Sequence, residues 1–474
     1  MKISTYIFPY ALLVVFILSL VTNWYEPLIY AANIICILLM LDKLGKGIVL
    51  REVIALFNCF ICLFMPLMGY LFFTRNDPLA ASFLRFMPVA RETYFNFALP
   101  AVTGFVTTLC WPLKSEKNAD YGVYLNNILN AAKKQLEGNQ KFGVILLGIG
   151  VVISTLIVFV PVSLQYVFTL IYFSSFSGLL YIYFTKRFPF KATVMILFGL
   201  FIVAGSLGNG MFTILTYMGM TIFSFFFIGQ KTALWKKMTV FAVAIFILTI
   251  LQTVKPEYRV SVLRKNSENK GSEFLKIALK RIDNLENAFT TKYLFPVYYR
   301  TNQGFYVALV MKRFPELVPY DNGEYLFKVL ISALVPRFLW PDKPMAGGIA
   351  NMKYFTGYTI KGYTTNVGPL GEAYGSFGPV RGILYMIFLG AFIRFAYARI
   401  FVIAKRLPLI IFWIPVIFYQ VTYSAENDTL QIMNSLIKSA FFVYVIYKMF
   451  PQIFPSRRFS LQKRTNSQLT VNPV

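Results

Sequence analysis

The chain contains no histidine. That absence removes Ser-His-Asp triads, imidazole bases and His-ligated metals, and with them most hydrolase mechanisms. Charge is scarce as well: Asp, Glu, Lys and Arg make up 14% of 474 residues, against roughly 25% in a soluble domain. Only four cysteines occur, Cys36, Cys59, Cys62 and Cys110. All fall inside apolar runs, so the Cys59-x-x-Cys62 pair reads as apolar packing in preference to a redox or zinc site, and no disulfide or structural metal is expected. No Gly-rich phosphate loop appears, and no paired aspartates stand in a loop to hold a divalent ion against a nucleotide, which argues against a nucleotide-driven machine. No cofactor is expected.

What is abundant is apolar surface: 57% of the residues are hydrophobic and 18% aromatic, the composition of a membrane protein. Crossing a hydrocarbon core of ~30 Å takes about 20 apolar residues in a helix. Segments near 5–22, 26–41, 53–73, 94–112, 143–161, 166–185, 192–208, 211–229, 238–254, 382–398, 408–425 and 430–448 meet or approach that length. A β-barrel would need alternating apolar and polar residues, and "ILLGIGVVISTLIVFVPV" alternates nothing. The expected fold is therefore an all-α polytopic membrane protein of about twelve spans with one large extracytoplasmic loop. The first segment lacks a small-residue cleavage site and is followed at once by another apolar run, so it reads as a retained helix.

Short loops rich in Lys and Arg stay in the cytoplasm. Such loops lie at 43–51, 114–141, 186–191, 231–237 and 394–406, with a basic tail beyond 451. The intervening short loops, 23–26, 161–165, 208–210 and 424–429, hold no Lys or Arg. Both termini are expected in the cytoplasm. Much of the formal charge of +26 is this topological bias, and none of it forms a soluble basic domain, so nucleic acid is not an expected partner. The organisation reads as nine spans in 1–254, an outer loop at 255–380, three spans in 381–450 and a basic tail at 451–474.

Loop 114–141 places Val123, Ile128, Leu129, Ala132 and Leu136 at near-helical spacing among lysines, which predicts a helix on the membrane surface. Long connections in compact proteins are usually functional, which directs attention to loop 255–380, where basic residues outnumber acidic ones. Its "EFLKIALKRIDNLENAF" puts Phe274, Ala278, Ile282, Leu285 and Phe289 on one helical face. A second helix should start after Asp321 or Asn322 as N-cap and stop before Pro336. Beyond it, "VPRFLWPDKPMAGG" (335–348) carries Arg337, Trp340, Asp342 and Lys343 on a proline-stiffened segment. "TTNVGPLGEAYGSFGPVRG" (364–382) then brings Glu372, in a glycine-rich stretch, to the outer membrane boundary.

"PRFLWPDKP", followed about thirty residues later by "GEAYGSFG", resembles the Wzy-type O-antigen polymerases, a family related to O-antigen ligases. Pro336, Arg337, Trp340, Pro341, Lys343 and Pro344 match its first elements, and Gly371, Glu372, Tyr374, Phe377 and Gly378 its later ones. Arg337 to Gly348 also fits an Arg-x10-Gly pattern of some members. The resemblance implies the lipid-linked-sugar glycosyltransferase fold and polymerisation of undecaprenyl-diphosphate-linked repeat units on the periplasmic face of the bacterial inner membrane, without a metal. It also makes membrane lipids and a chain-length regulator candidate partners. The alternatives are an O-antigen ligase-like transferase and a flippase or exporter for lipid-linked sugars. The absence of self-similarity between the halves of the chain argues against the transporter.

Glycosyl transfer from a lipid diphosphate needs charge neutralisation on the leaving group and removal of a hydroxyl proton. Arg337 and Lys343 are the leading cations, and Arg75, Arg264 and Arg300 are further ones. Glu372 is the candidate base; its alternative role is to pair with Arg337 or Arg381 and fix the loop. Glu324 and Asp321 stand in reserve. Trp340 and Tyr374 could stack on sugar rings. Lys438, deep in the last span, needs either a structural partner or a site role.

Overall fold

A computed structural model describes residues 4–72, 87–113, 121–137, 139–209, 214–230, 233–264, 270–283, 291–335, 339–344, 347–360 and 364–454. Arg75, Arg337 and the residues beyond 454 lie outside the described residues. Among those described there is no β-strand, only an isolated bridge between Leu44 and Gly47.

Among the described residues, six helices are long and apolar enough to cross a membrane: Tyr25–Lys43, Leu50–Leu71, Gln140–Phe159, Leu164–Phe184, Gly368–Ala404 and Thr429–Met449. Shorter apolar helices cover Tyr6–Val21, Lys191–Leu207, Thr216–Phe227 and Pro408–Ile417. The protein is thus a helical membrane protein. The expected span at 408–425 is not one continuous helix. Pro408 and Pro415 break it into a 3₁₀ stretch Pro408–Trp413, a single α-turn Ile414–Ile417 and a further 3₁₀ turn Tyr419–Val421. Every residue from Pro408 to Ile417 is buried, as irregular backbone at membrane depth must be.

The chain divides into two compact units. One comprises Met1–Lys117, Leu200–Arg394 and Gln420–Asn434; the other comprises Asn118–Gly199, Phe395–Tyr419 and Ser435–Val474.

In the first unit, helix Arg91–Cys110 is buried along almost its whole length. A Cβ on Gly104 would meet Ile387 and Phe16, and one on Gly390 would meet the Phe105 carbonyl. Small residues thus let apolar helices approach closely. Carbonyls at and just past the C-terminal end of Arg91–Cys110 accept from arginines, Arg51 Nη1 reaching Leu109 O at 3.5 Å. Arg51 Nη1 donates to Trp111 O (3.2 Å), while Arg394 Nε and Nη2 donate to Trp111 O (2.7 Å) and Pro112 O (2.8 Å). Two arginines from predicted basic loops therefore meet at one end of this unit, bound to a helix terminus that would otherwise hold orphan acceptors.

In the second unit, helices Gln140–Leu156 and Val162–Phe184 pack through glycine, a Cβ on Gly178 falling 2.7 Å from Gly143 O. Residues 121–136 are helical, as the pattern predicts. Their apolar face, however, is covered by protein: Leu125, Ile128, Leu129, Ala132 and Leu136 are all buried. Lys438 places its ammonium 5.3 Å from the Tyr166 ring centroid, a cation–π arrangement that offsets part of the cost of a charge in the interior.

Candidate functional site

Helix Gly368–Ala404 is interrupted at Gly378, whose φ of 72° and ψ of −173° are non-helical. Pro379 follows and lacks the N–H that would continue the ladder, and it disfavours helical backbone at the residue before it. Only glycine takes this conformation without strain. The break separates the turns bearing Glu372 from the long apolar run after Pro379.

Glu372 lies in helix, not in the glycine-rich loop expected of its sequence, and it is fully buried. Its Oε1 accepts from Asn351 Nδ2 (2.7 Å), and its Oε2 from the Thr429 amide (2.9 Å) and the Thr429 hydroxyl (2.5 Å). Asn351 Oδ1 accepts from the Val367 amide (2.9 Å), which fixes which end of the carboxamide faces Glu372. The Thr429 hydroxyl lies 2.8 Å from the Tyr385 hydroxyl.

A second carboxylate adjoins it. Asp428 is 2% exposed, with Oδ1 accepting from the Gln431 amide (2.6 Å) and Oδ2 from the Gly347 amide (3.0 Å). Burial raises its pKa above the ordinary aspartate value. Gln431 Oε1 accepts from Asn366 Nδ2 (3.0 Å), and Asn366 O accepts from Gln303 Nε2 (2.8 Å). Three residues before Gln303, Arg300 grips Glu426 with both terminal nitrogens, at 3.2 and 2.9 Å. The short loop 424–429 is thereby tied to three parts of the 255–380 region, through Arg300, the Gly347–Asn351 segment and the Asn366–Glu372 segment. Gly348 sits so close to Thr365 that a Cβ would fall 1.9 Å from its carbonyl oxygen.

The sequence candidates separate into distinct places. Lys343 Nζ donates to Ser332 O and Val335 O, both at 2.7 Å, so two of its three hydrogens terminate helix Glu324–Leu334. That placement gives Lys343 a helix-capping duty where the sequence suggested a phosphate cation. Trp340 is half-buried next to it. Tyr374 is 8% exposed and meets Phe97 edge-on, with ring centroids 5.0 Å apart, a packing role in place of an open stacking platform. Arg264 ends helix Leu234–Arg264; its side chain lies outside the description. Arg381 Nη1 points to Asn322 Oδ1 at 3.4 Å, so Glu372 is held by amides and a hydroxyl where the sequence offered Arg381 as a partner. Glu324 is exposed and pairs with Lys328, which holds its carboxyl below the usual range.

The helix predicted after Asp321 or Asn322 starts one residue later, with Gly323 at the N-cap position. Asp321 still caps it from outside, Oδ1 accepting from the Gly323 amide (2.8 Å) and Oδ2 from the Tyr325 amide (3.3 Å). The helix ends at Leu334, before Pro336 as expected. Of the amphipathic pattern at 273–289, the described part is helix Lys270–Asp283, which buries Ile277 and Ala278 against Val254 and Tyr258.

Sequence reasoning passes over Asn351, Asp428, Thr429 and the Arg300–Glu426 pair. The signal lies in "SAENDT", two acids in a short connection, which hydropathy and charge bias treat only as a loop without Lys or Arg. Among the described residues, no group of three or more Cys, Asp or Glu is arranged to hold a metal ion.

The family described as Domain of unknown function (DUF8712) matches residues 41–407. No curated protein and no solved structure matches the chain.

Proposed function

The chain belongs to the DUF8712 family, whose description names no activity, and from its site we propose that it polymerises lipid-diphosphate-linked oligosaccharide repeat units on the outer face of a bacterial cytoplasmic membrane. One observation carries the reading. The segment following "PRFLWPDKP" reaches the buried carboxylates of both "GEAY" and "SAENDT", Asn351 donating to Glu372 and Gly347 to Asp428.

In the proposed reaction an acceptor hydroxyl attacks the anomeric carbon of the donor sugar. The carbon–oxygen bond to the diphosphate breaks, the lipid diphosphate leaves, and the hydroxyl proton passes to a base. Arg337 and Arg300 are the cations assigned to the diphosphate, arginine being the side chain whose planar fork binds phosphate oxygens bidentately. Glu372, enclosed and saturated by donors, is assigned as a positioning residue that holds Thr429 and Asn351. Asp428 is assigned the proton-accepting role, because each of its oxygens accepts a single amide while Glu372 accepts three donors, and burial raises its pKa above the ordinary aspartate value.

The test is a deletion strain. Lipid-linked single repeats should accumulate, wild-type protein should restore long polymer, and Arg337→Ala protein that reaches the membrane should not. Full-length polymer ladders in the deletion strain or in the Arg337→Ala strain would overturn the assignment.

A further inference from the structure

A cavity of about 500 Å³ lies within the first unit, walled almost entirely by apolar side chains. It follows helix Tyr25–Lys43 from Tyr30 to beyond Leu41, and its far end reaches Leu44 and Val49. At that end stands Lys237, whose ammonium donates to Leu41 O (3.0 Å). Toward the other end, among Phe60, Ile61 and Phe64, the wall includes Arg300 and Glu426. Ile34 and Phe223, also in the wall, are 55% and 40% exposed, so the cavity has a side facing the surrounding bilayer.

Three features point to an occupant. Fourteen residues of helical rise, from Tyr30 to Leu44, correspond to about 21 Å, whereas one leaflet contributes about half of a ~30 Å core. The cavity is therefore longer than the acyl chain of an ordinary phospholipid is deep. Second, its ion pair is placed like a phosphate site: Glu426 occupies both terminal nitrogens of Arg300, the geometry a phosphate would adopt. Third, the two π-helical turns among the described residues, Phe60–Phe64 and Ile214–Met218, both contribute to the wall. Such turns cost regular hydrogen bonding and collect at functional sites.

We propose that this cavity holds the hydrocarbon chain of a lipid phosphate longer than one leaflet, with its anionic head on Arg300 in place of Glu426. The proposal deepens the polymerase reading and rests on it for what the lipid carries, while the chain length and head charge follow from the cavity itself. Glu426 is then a latch, keeping the guanidinium paired until a phosphate displaces it.

The experiment measures binding of radiolabelled undecaprenyl diphosphate to the full-length protein in phosphatidylcholine nanodiscs. The competitors are farnesyl diphosphate, which has the same head and a short chain, and phosphatidylglycerol, which is anionic with leaflet-length chains. Undecaprenyl diphosphate should bind, with both competitors at least about tenfold weaker. Ile37→Trp, which fills the middle of the cavity, should weaken the long chain and leave farnesyl diphosphate unchanged. Should that variant fail to reach the membrane, Leu56→Phe narrows the same wall. Arg300→Gln should weaken both diphosphates by about 10- to 100-fold. Glu426→Gln should tighten both by about 2- to 5-fold, the value of one partly exposed ion pair. Equal affinity for the two diphosphates, or indifference to both plugging variants, would overturn the proposal. Binding as expected together with normal polymer in the deletion strain would refute the polymerase reading and leave the cavity assignment standing. Lost polymer without chain-length preference would do the reverse.

Discussion

Glu372 is surrounded only by donors, and that makes Glu372→Gln a sharp perturbation of almost unchanged volume. Whichever way the new carboxamide is turned, its NH₂ faces a group that also donates. In one orientation it opposes the Thr429 amide, in the other Asn351 Nδ2. Asn351 cannot flip without loss, because its oxygen already accepts from the Val367 amide. One buried donor is left unsatisfied, at a cost of about 1–3 kcal/mol. The second-site change Asn351→Asp removes the conflict: one oxygen of the introduced carboxylate keeps the Val367 amide, and the other accepts from the carboxamide introduced at position 372. The pair of changes also preserves the net charge of the site. The double variant should therefore be more stable than the sum of the two single effects by more than about 1–3 kcal/mol, because Asn351→Asp alone also sets a second carboxylate against the buried Glu372. Reversible unfolding in mixed detergent micelles, monitored by tryptophan fluorescence on all four proteins, measures this coupling. Strict additivity would refute the hydrogen-bond polarity on which the description of the site depends.

Three further outcomes follow from single side chains. Lys343→Ala should destabilise the protein by about 1.5–3 kcal/mol, the range for hydrogen bonds to a charged donor, as read by the same unfolding assay; an unchanged midpoint would return Lys343 to the candidate phosphate cations. Asp428 has a folded pKa raised above its unfolded value, so its contribution to stability is fully present below the unfolded pKa and is lost as pH rises through the folded one; Asp428→Asn should flatten that part of the stability–pH curve, and an identical curve would refute the burial argument. Gly178→Val would drive side-chain atoms into the Gly143 carbonyl and Leu146 and should cost at least about 1–3 kcal/mol by overpacking, visible as loss of folded protein on size-exclusion chromatography after mild heating.

The membrane class and most helix positions were legible because twenty-residue apolar runs have few alternatives in lipid. The run at 408–425 misled for the same reason: it has the hydropathy of a span, but Pro408 and Pro415 break its backbone, and burial in protein removes the need for continuity. Loop 114–141 misled differently. Its periodicity correctly gave a helix, while periodicity cannot distinguish a membrane surface from a protein surface as the partner of the apolar face. Glu372 was found through its neighbours in sequence, yet its surroundings were not, because Asn351 and Thr429 reach it from 21 and 57 residues away. No local pattern records such pairings. Arg300 was one cation among many until Glu426, 126 residues on, singled it out.

The polar knot serves a backbone need as well as a chemical one, and the two must be told apart. Helix Thr429–Met449 opens out of this loop, and the amides of its first turn need partners that neither the helix nor lipid can supply. Glu372 supplies one to Thr429, and Asp428 serves Gly347 and Gln431. A loss of activity in Glu372→Gln could thus report a collapsed loop as readily as a missing charge. The compensated pair separates these causes, since Glu372→Gln combined with Asn351→Asp restores the hydrogen-bond pattern while moving the charge to the neighbouring side chain. If polymer and stability return together, Glu372 acts only through the loop it holds. If stability returns and polymer does not, a carboxylate at position 372 itself is required by the reaction, and the assignment of proton transfer to Asp428 would have to give way.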